Sequence, residues 1–582
     1  MQNAAVTIVA FLLLCLTFNY TFPFHRENTK WPPLNFHNRK SFIQTCDVSH
    51  RHVNIVKRNK IDDNFETIHD KMQSPYKHAF NDHDLRQFEQ LVIMKKYPYL
   101  DHKELQIQLN PSSKNARQSE KMDTWSGIIL DSRFHEGLEE GPNVEIINRG
   151  LTGFAIPSKM SLGIKDAAGS VTKDIEMELQ CKVQNYEWGK LGLDSAVAKF
   201  LASANPRVVI DPSKPYAELW LGTHPNGPSI ITERGVLLSE YIVHNIDAIG
   251  TAVRKRFGVE VPFLLKILSV RKALSIQAHP TKEHAEVLHK SFPEMYKDAN
   301  HKPELAIALT PFEALCGFRP LEQIQEFIRK IPELSKVLSS ETVEILLAQE
   351  QQGQSGTVLK PVFHSLMTHN KADVAANLLS LIGRLEQEDE DTQRHLLYPV
   401  LKRIHADFPG DVGCWALYFM NYMELQPGQA MFLKPNLPHA YLSGDCIECM
   451  ACSDNVIRAG LTPKHIDVPT LVDMLDYSSY AKEQLLFSPQ LEDSNSCIWR
   501  PPVADFAVIK IKVSVESGDS YNTKIRASPS LIIITSGTGE TCDTEPIRAR
   551  PGVAIFLKAS RQLTLTPDDG SHIEAYQAIC NV

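Results

Sequence analysis

Two stretches in the C-terminal half of the chain share one pattern. Gln426-Pro427-Gly428 leads into the apolar run Ala430-Met431-Phe432-Leu433 and then a turn ending in Pro438-His439, while Arg550-Pro551-Gly552 leads into Val553-Ala554-Ile555-Phe556-Leu557. Proline presets φ and glycine accepts φ above zero, so each Pro-Gly pair closes a tight turn. A short apolar run bounded by turns reads as a buried strand. A turn-strand unit written twice predicts two related β barrels. The second lacks the histidine, because the place of His439 is taken there by Leu563. The first barrel is therefore expected to present a metal ligand, and the second, from about Arg500 to Val582, to be metal-free.

Further candidate ligands lie upstream. In Leu274-Ser275-Ile276-Gln277-Ala278-His279-Pro280, residues two apart on a strand share a face, so the Gln277 amide and the His279 imidazole converge while Ile276 and Ala278 pack. A histidine on a strand is ordinarily a packed one, and its company is what counts. Asn300-His301-Lys302-Pro303-Glu304 precedes the strand-like run Leu305–Leu309, and Pro438-His439-Ala440-Tyr441 follows the first repeat unit. Gln277, His279, Glu304 and His439 make a mixed nitrogen and oxygen set suited to a borderline divalent ion such as zinc.

Between these ligands the pattern changes. Residues 321–406 carry apolar side chains at helical spacing, as in Ile324, Phe327 and Ile328, or Leu397, Val400, Leu401 and Ile404. This predicts an α-helical insertion that interrupts a β domain, with the catalytic part split into 177–320 and 407–499. Glu178–Val183, Val261–Val270 and Trp415–Met420 read as strands, and Ala196–Ala202 as a helix. The aromatic-rich Pro215–Pro225 reads as core. Residues 1–176 show poor apolar periodicity and recurrent turn formers, so they are expected to be a largely disordered extension with one amphipathic helix near Asp84–Met94. The apolar run 6–18 is shorter than the ~20 residues of a spanning helix. It lacks a basic flank and a small-residue cleavage site, which leaves a signal peptide open but unfavoured.

At 582 residues and a formal charge of −8, with no sustained basic face, the chain is not expected to bind nucleic acid. Eleven cysteines over that length do not make a disulfide scaffold. Cys446-x-x-Cys449-x-x-Cys452 has a spacing used for iron–sulfur ligation, but the fourth cysteine and its proline are missing. Unpaired thiols point to a reducing compartment, hence cytoplasm, with no stable membrane association.

From about Met177 to Val582 the chain resembles the zinc-dependent type I phosphomannose isomerases (mannose-6-phosphate isomerases) in their eukaryotic arrangement. The resemblance is carried by Tyr186-Glu187-Trp188-Gly189-Lys190, by Pro215–Pro225, Leu274–Pro280 and Asn300–Glu304, and by Pro438 through Ser453-Asp454-Asn455-Val456-Ile457-Arg458-Ala459-Gly460-Leu461-Thr462-Pro463-Lys464. It implies cupin (jelly-roll) barrels and one zinc ion per chain held by Gln277, His279, Glu304 and His439. It also implies an active-site Arg458, and a sugar-phosphate cavity lined by Ser275, Lys266, Lys302, Tyr441, Glu448, Asp454 and Lys464. The implied reaction interconverts mannose 6-phosphate and fructose 6-phosphate through an enediol, in a monomer serving GDP-mannose metabolism.

The residue types fit that chemistry. Abstracting a sugar C–H proton needs stabilisation of negative charge on the C1 and C2 oxygens, which a Lewis acid and cations such as Arg458 or Lys302 provide. The base stays open among a zinc-bound hydroxide, His301, Lys302, Glu448 and Asp454; Asp454 or a metal-bound water also suits ring opening. Ser275, Lys266 and Lys464 are the candidates for gripping phosphate. Two other readings compete: a different cupin metalloenzyme, such as an iron oxygenase, and a sugar-phosphate binder without turnover.

Overall fold

The computed structural model describes residues 175–349, 355–514, 520–542 and 545–582. The extension expected over 1–176, save its last two residues, lies outside them, as do the apolar run 6–18 and the helix expected at Asp84–Met94. Strands β1 (Glu176–Gln180), β2 (Lys182–Gln184), β3 (Glu218–Leu221), β4 (Phe263–Val270), β5 (Ile276–Ala278), β6 (Glu304–Ala308) and β7 (Phe312–Phe318) precede the helical segment. β8 (Met420–Leu425), β9 (Ala430–Leu433), β10 (His439–Ala451) and β11 (Ile457–Gly460) follow it. β12 (Ser496–Trp499), β13 (Ala507–Ser514), β14 (Ser530–Gly537), β15 (Ala554–Leu557) and β16 (His572–Ile579) complete the larger strands.

The first sheet is antiparallel and organised on β10, whose thirteen residues pair with four neighbours. Its opening half runs against β7, and its closing half lies between β4 and β6. The change falls at Gly444, where φ is +109° and an added Cβ would meet the Pro311 carbonyl oxygen at 2.5 Å. Only glycine fits both conditions. The buried strand β4 reads Phe-Leu-Leu-Lys-Ile-Leu-Ser-Val, apolar on both faces except at Lys266 and Ser269.

The insertion is helical as expected. Its helices run from Leu321–Lys330 to Tyr398–Asp407, and their apolar stripes, including Ile324, Phe327, Leu378, Leu381 and Leu401, join one core with Ile276 and Ala278 of β5. Trp415–Met420 departs from expectation. Instead of a strand, Gly413–Ala416 forms a helical turn and β8 starts only at Met420. Two aromatics in this run serve the insertion: Trp415 Nε1 donates to the Val374 carbonyl (3.2 Å) and the Tyr418 hydroxyl to that of Leu396 (3.1 Å). Tertiary anchoring overrides the strand preference of the sequence.

The second sheet runs β12-β13-β16-β14-β15-β1 and ends in Ile230–Ile231 and Val236–Leu237. Its strand β1 comes from the start of the described chain and pairs with β15. Leu563, the counterpart of His439, is fully buried in an aliphatic cluster with Ile509, Ile532 and Ile555. Cys446 and Cys449 of β10 fall in different hydrophobic clusters on opposite faces of the strand, as a three-residue step requires. Burial raises both thiols well above their usual range. Among the described residues no helix is long and apolar enough to cross a membrane.

Candidate active site and metal centre

The short strand β5 lies between β10 and β11, with Gln277 directly opposite His439 on one side and Arg458 on the other. Directly opposed residues in a sheet project to the same face, so register alone gathers an amide, an imidazole and a guanidinium. His279 follows two positions later. The turn leading into β10 has Pro435 at its second position and Asn436 in the left-handed region (φ +66°), a conformation asparagine tolerates. The Asn436 N–H donates to the His279 carbonyl at 2.7 Å, tying the loop before His439 to the chain that carries His279. Glu304 opens β6 between β9 and β10.

The result is a cluster of His279, Glu304 and His439, each 1% exposed, with candidate ligand atoms within 4.8 Å of one another. Each histidine Nδ1 faces a carbonyl, that of Asn455 at 2.7 Å for His279 and that of Leu437 at 2.9 Å for His439. A carbonyl only accepts, so each ring carries its proton on Nδ1 and presents a lone pair at Nε2. Those two Nε2 atoms and Glu304 Oε2 are buried without a hydrogen-bond partner among the described residues. Burial lowers the His279 pKa further and favours the neutral ring. Burial would raise the Glu304 carboxyl, but the Lys302 ammonium, 3.2 Å away, leads the groups that hold it well below its usual range. Two imidazoles with Nε2 unengaged and a carboxylate fit a divalent cation, with the Gln277 amide in register beside them.

Beside this centre lies a buried ionic network. Lys266 Nζ sits 3.0 Å from Glu448 and 3.8 Å from Glu218, over the ring of Trp220. Burial would lower its pKa, but the two carboxylates outweigh that and keep it charged. Tyr441 donates to Glu448 at 2.7 Å, and Trp220 Nε1 donates to Glu218. Lys266, expected among the phosphate anchors, thus spends its charge on two carboxylates in the protein interior.

The Arg458 side chain is half-buried and makes no hydrogen bond or ion pair among the described residues; burial lowers its pKa. It lines a cavity of about 470 Å³ with Tyr296, His465 and the exposed Lys464. The backbone beyond it is seated by two glycines: a Cβ on Gly460 would lie 2.5 Å from Gly413 Cα. Ser275 is half-buried two positions before Gln277. Asp454 is exposed and accepts from Asn226 Nδ2 at 3.0 Å, with His224 Nε2 at 3.5 Å. Burial holds His224 toward its neutral form. His301 turns away to Asp505, its Nε2 3.2 Å from both carboxylate oxygens. Glu218 and His224 escape sequence reasoning because their aromatic-rich segment reads as core, and Asn226, just beyond it, carries no motif.

Two family models match, "Phosphomannose isomerase type I, catalytic domain" over residues 177–321 and the helical insertion domain of the same family over 334–420. The mannose-6-phosphate isomerase of Macaca fascicularis is 44% identical over 415 residues, covering 69% of this chain and 98% of that protein. This chain belongs to the type I phosphomannose isomerase family. Its similarity extends to fission yeast (Schizosaccharomyces pombe), whose mannose-6-phosphate isomerase is 38% identical over 419 residues, covering 69% of this chain and 99% of that protein. Among solved structures, the apo mannose 6-phosphate isomerase of Salmonella typhimurium superposes with a TM-score of 0.60 at 30% identity, covering 70% of this chain and all of that one. A crystal structure of mannose 6-phosphate isomerase bound with zinc and yttrium matches with the same score, identity and coverage. The mainly β, cupin-like fold with a helical insertion is therefore that of the type I phosphomannose isomerases.

Proposed function

We infer that this protein is a zinc-dependent mannose-6-phosphate isomerase, interconverting mannose 6-phosphate and fructose 6-phosphate through an enediol. The observation that carries the reading is the buried pair of partnerless imidazole Nε2 atoms facing the Glu304 carboxylate, with Lys302 and Arg458 adjoining. His279, Glu304, His439 and Gln277 would hold one zinc ion, whose chemistry there is that of a Lewis acid for sugar oxygens. The chain's own residues do the rest. Arg458, charged and uncommitted, offsets negative charge on the C1 and C2 oxygens, and Lys302 adds to it. Lys464 at the cavity mouth grips the phosphate together with Ser275. Lys266 holds one oxygen of Glu448 in place, and Tyr441 fixes the other. Asp454, exposed and flanked by His224, serves ring opening by passing a proton at the ring oxygen. Among the chain's own side chains, those left to move the proton between C1 and C2 are Lys302, Glu448 and Asp454, since His301 is engaged by Asp505.

The substrate is a small phosphorylated sugar, and the product serves mannose and GDP-mannose metabolism. The enzyme works as a cytoplasmic monomer, a placement supported by the free state of every described cysteine. Its catalytic part divides as 177–320 and 407–499 around the insertion 321–406, followed by the cupin-like 500–582.

The test is conversion of mannose 6-phosphate to fructose 6-phosphate by the purified chain. Conversion should be abolished by a chelator, restored by zinc and lost in Glu304→Ala. A zinc-loaded chain that binds the sugar without converting it, or that consumes oxygen as it turns over, defeats the reading.

A further inference from the structure

Two segments that matter to the proposed site meet at one carboxylate. The loop Asp298–Asn300 leads into Lys302 and Glu304, and the turn Cys452–Asn455 leads into Arg458. Asp298 Oδ1 accepts from Ser453 Oγ at 2.8 Å, from Asn455 Nδ2 at 3.2 Å and from the Asn300 N–H at 2.9 Å, while Oδ2 accepts from the Asp454 N–H at 2.8 Å. The Asp298 carbonyl takes Asn455 Nδ2 at 2.7 Å. Asn300 Nδ2 donates to the Cys452 carbonyl at 2.8 Å, which makes the grip mutual. Asn455, 1% exposed, is the residue whose own carbonyl accepts from His279 Nδ1 at 2.7 Å.

We propose that Asp298 is a positioning residue for the metal centre: by clamping the Ser453–Asn455 turn it sets the carbonyl that fixes the ring of His279. The inference rests on the zinc reading given above. Its logic is that of an outer partner of a ligating histidine, in which the carbonyl selects the tautomer and the ring plane, and whatever holds the carbonyl sets both. The same clamp seats Asp454 through its backbone, and it ties the segment carrying Glu304 to the one carrying Arg458. No cation pairs with Asp298 among the described residues; its oxygens face only N–H and O–H donors, so the carboxylate is spent on geometry rather than charge.

The experiment measures the zinc dissociation constant of the apoprotein by competition with a chromogenic chelator, with folding followed by circular dichroism. Asp298→Ala leaves the Asn455 carbonyl in place but unclamped, so it should weaken zinc about 10-fold, the lower end of the range seen when the outer partner of a metal ligand is itself lost. Asp298→Asn keeps one acceptor oxygen but turns an amide toward a donor, so it should fall between wild type and alanine. Ser453→Ala removes one donor of the clamp and should shift the constant less, in the same direction; these two variants decide the matter if Asp298→Ala does not fold. Arg384→Met, which breaks the pair with Glu333 inside the insertion, should lower the melting temperature without weakening zinc. Zinc held by the Asp298 variants as tightly as by wild type overturns the proposal, as does an equal loss in Arg384→Met at matched melting temperature. A wild-type chain that takes up no zinc would instead defeat the underlying functional reading.

Discussion

Lys266 allows a quantitative prediction, because its surroundings are known on every side. Its ammonium lies 3.0 Å from Glu448 and 3.8 Å from Glu218, and it is only 6% exposed. At an effective dielectric near 20 those separations correspond to about 5.5 and about 4.4 kcal/mol of attraction, most of which is cancelled by desolvation of three charges and by repulsion between the carboxylates. In Lys266→Met the carboxylates stay buried and lose their cation, so the fold should lose about 3–5 kcal/mol near neutral pH. The loss should depend on pH. Burial already raises the Glu218 carboxyl, and removing Lys266 raises it further. A carboxyl raised in the folded state binds more protons there than in the unfolded chain between its unfolded pKa, about 4.3, and its folded one. Folded stability contributed by that proton is therefore present at low pH and lost as pH rises through the folded value. The gap between variant and wild type should shrink at about pH 5.5 relative to about pH 7.5. Urea unfolding of the zinc-loaded protein, followed by tryptophan fluorescence, measures both, since Trp220 stacks on the ammonium. A loss below about 1 kcal/mol, the scale of an exposed pair, or a loss equal at both pH values, would refute the reasoning.

Other perturbations separate the roles around the centre. Arg458→Lys keeps a charge but loses the planar fork, so kcat should fall about 100-fold or more with little change in KM; an unchanged kcat would remove Arg458 from charge stabilisation. Lys464→Ala should raise KM and leave kcat within about threefold, and steady-state kinetics showing a kcat loss alone would contradict phosphate gripping. His301→Gln should keep kcat within about fivefold, because that imidazole is committed to Asp505; a drop of 10³ or more would restore it as the base.

His279, Glu304 and His439 were legible as candidate ligands because strand alternation and turn chemistry are local, whereas their meeting at one ion was implied by the family resemblance. Two residues on one face, a carboxylate opening a strand and a Pro-His turn need no long-range knowledge. The insertion was equally readable, since its helical period breaks sharply from the flanking strands. The partners of Lys266 were not. Glu218 and Glu448 are brought to it by the neighbours of β4 in the sheet, and strand order is not written in periodicity. Asp298 is a similar case, an aspartate in a loop whose importance lies in donors more than a hundred and fifty residues away. The run Trp415–Met420 misled because aromatics favour strands in general, whereas here Trp415 and Tyr418 bond to backbone carbonyls of the insertion.

The pairing of β1 with β15 bears on how the chain comes off the ribosome. The earliest described strand has its two neighbours in Ile230–Ile231 and in Ala554–Leu557, so the second sheet cannot close until Ala554–Leu557 has been synthesised. A premature stop ahead of Ala554 would leave every proposed zinc ligand translated, yet strand β1 would have one bare edge.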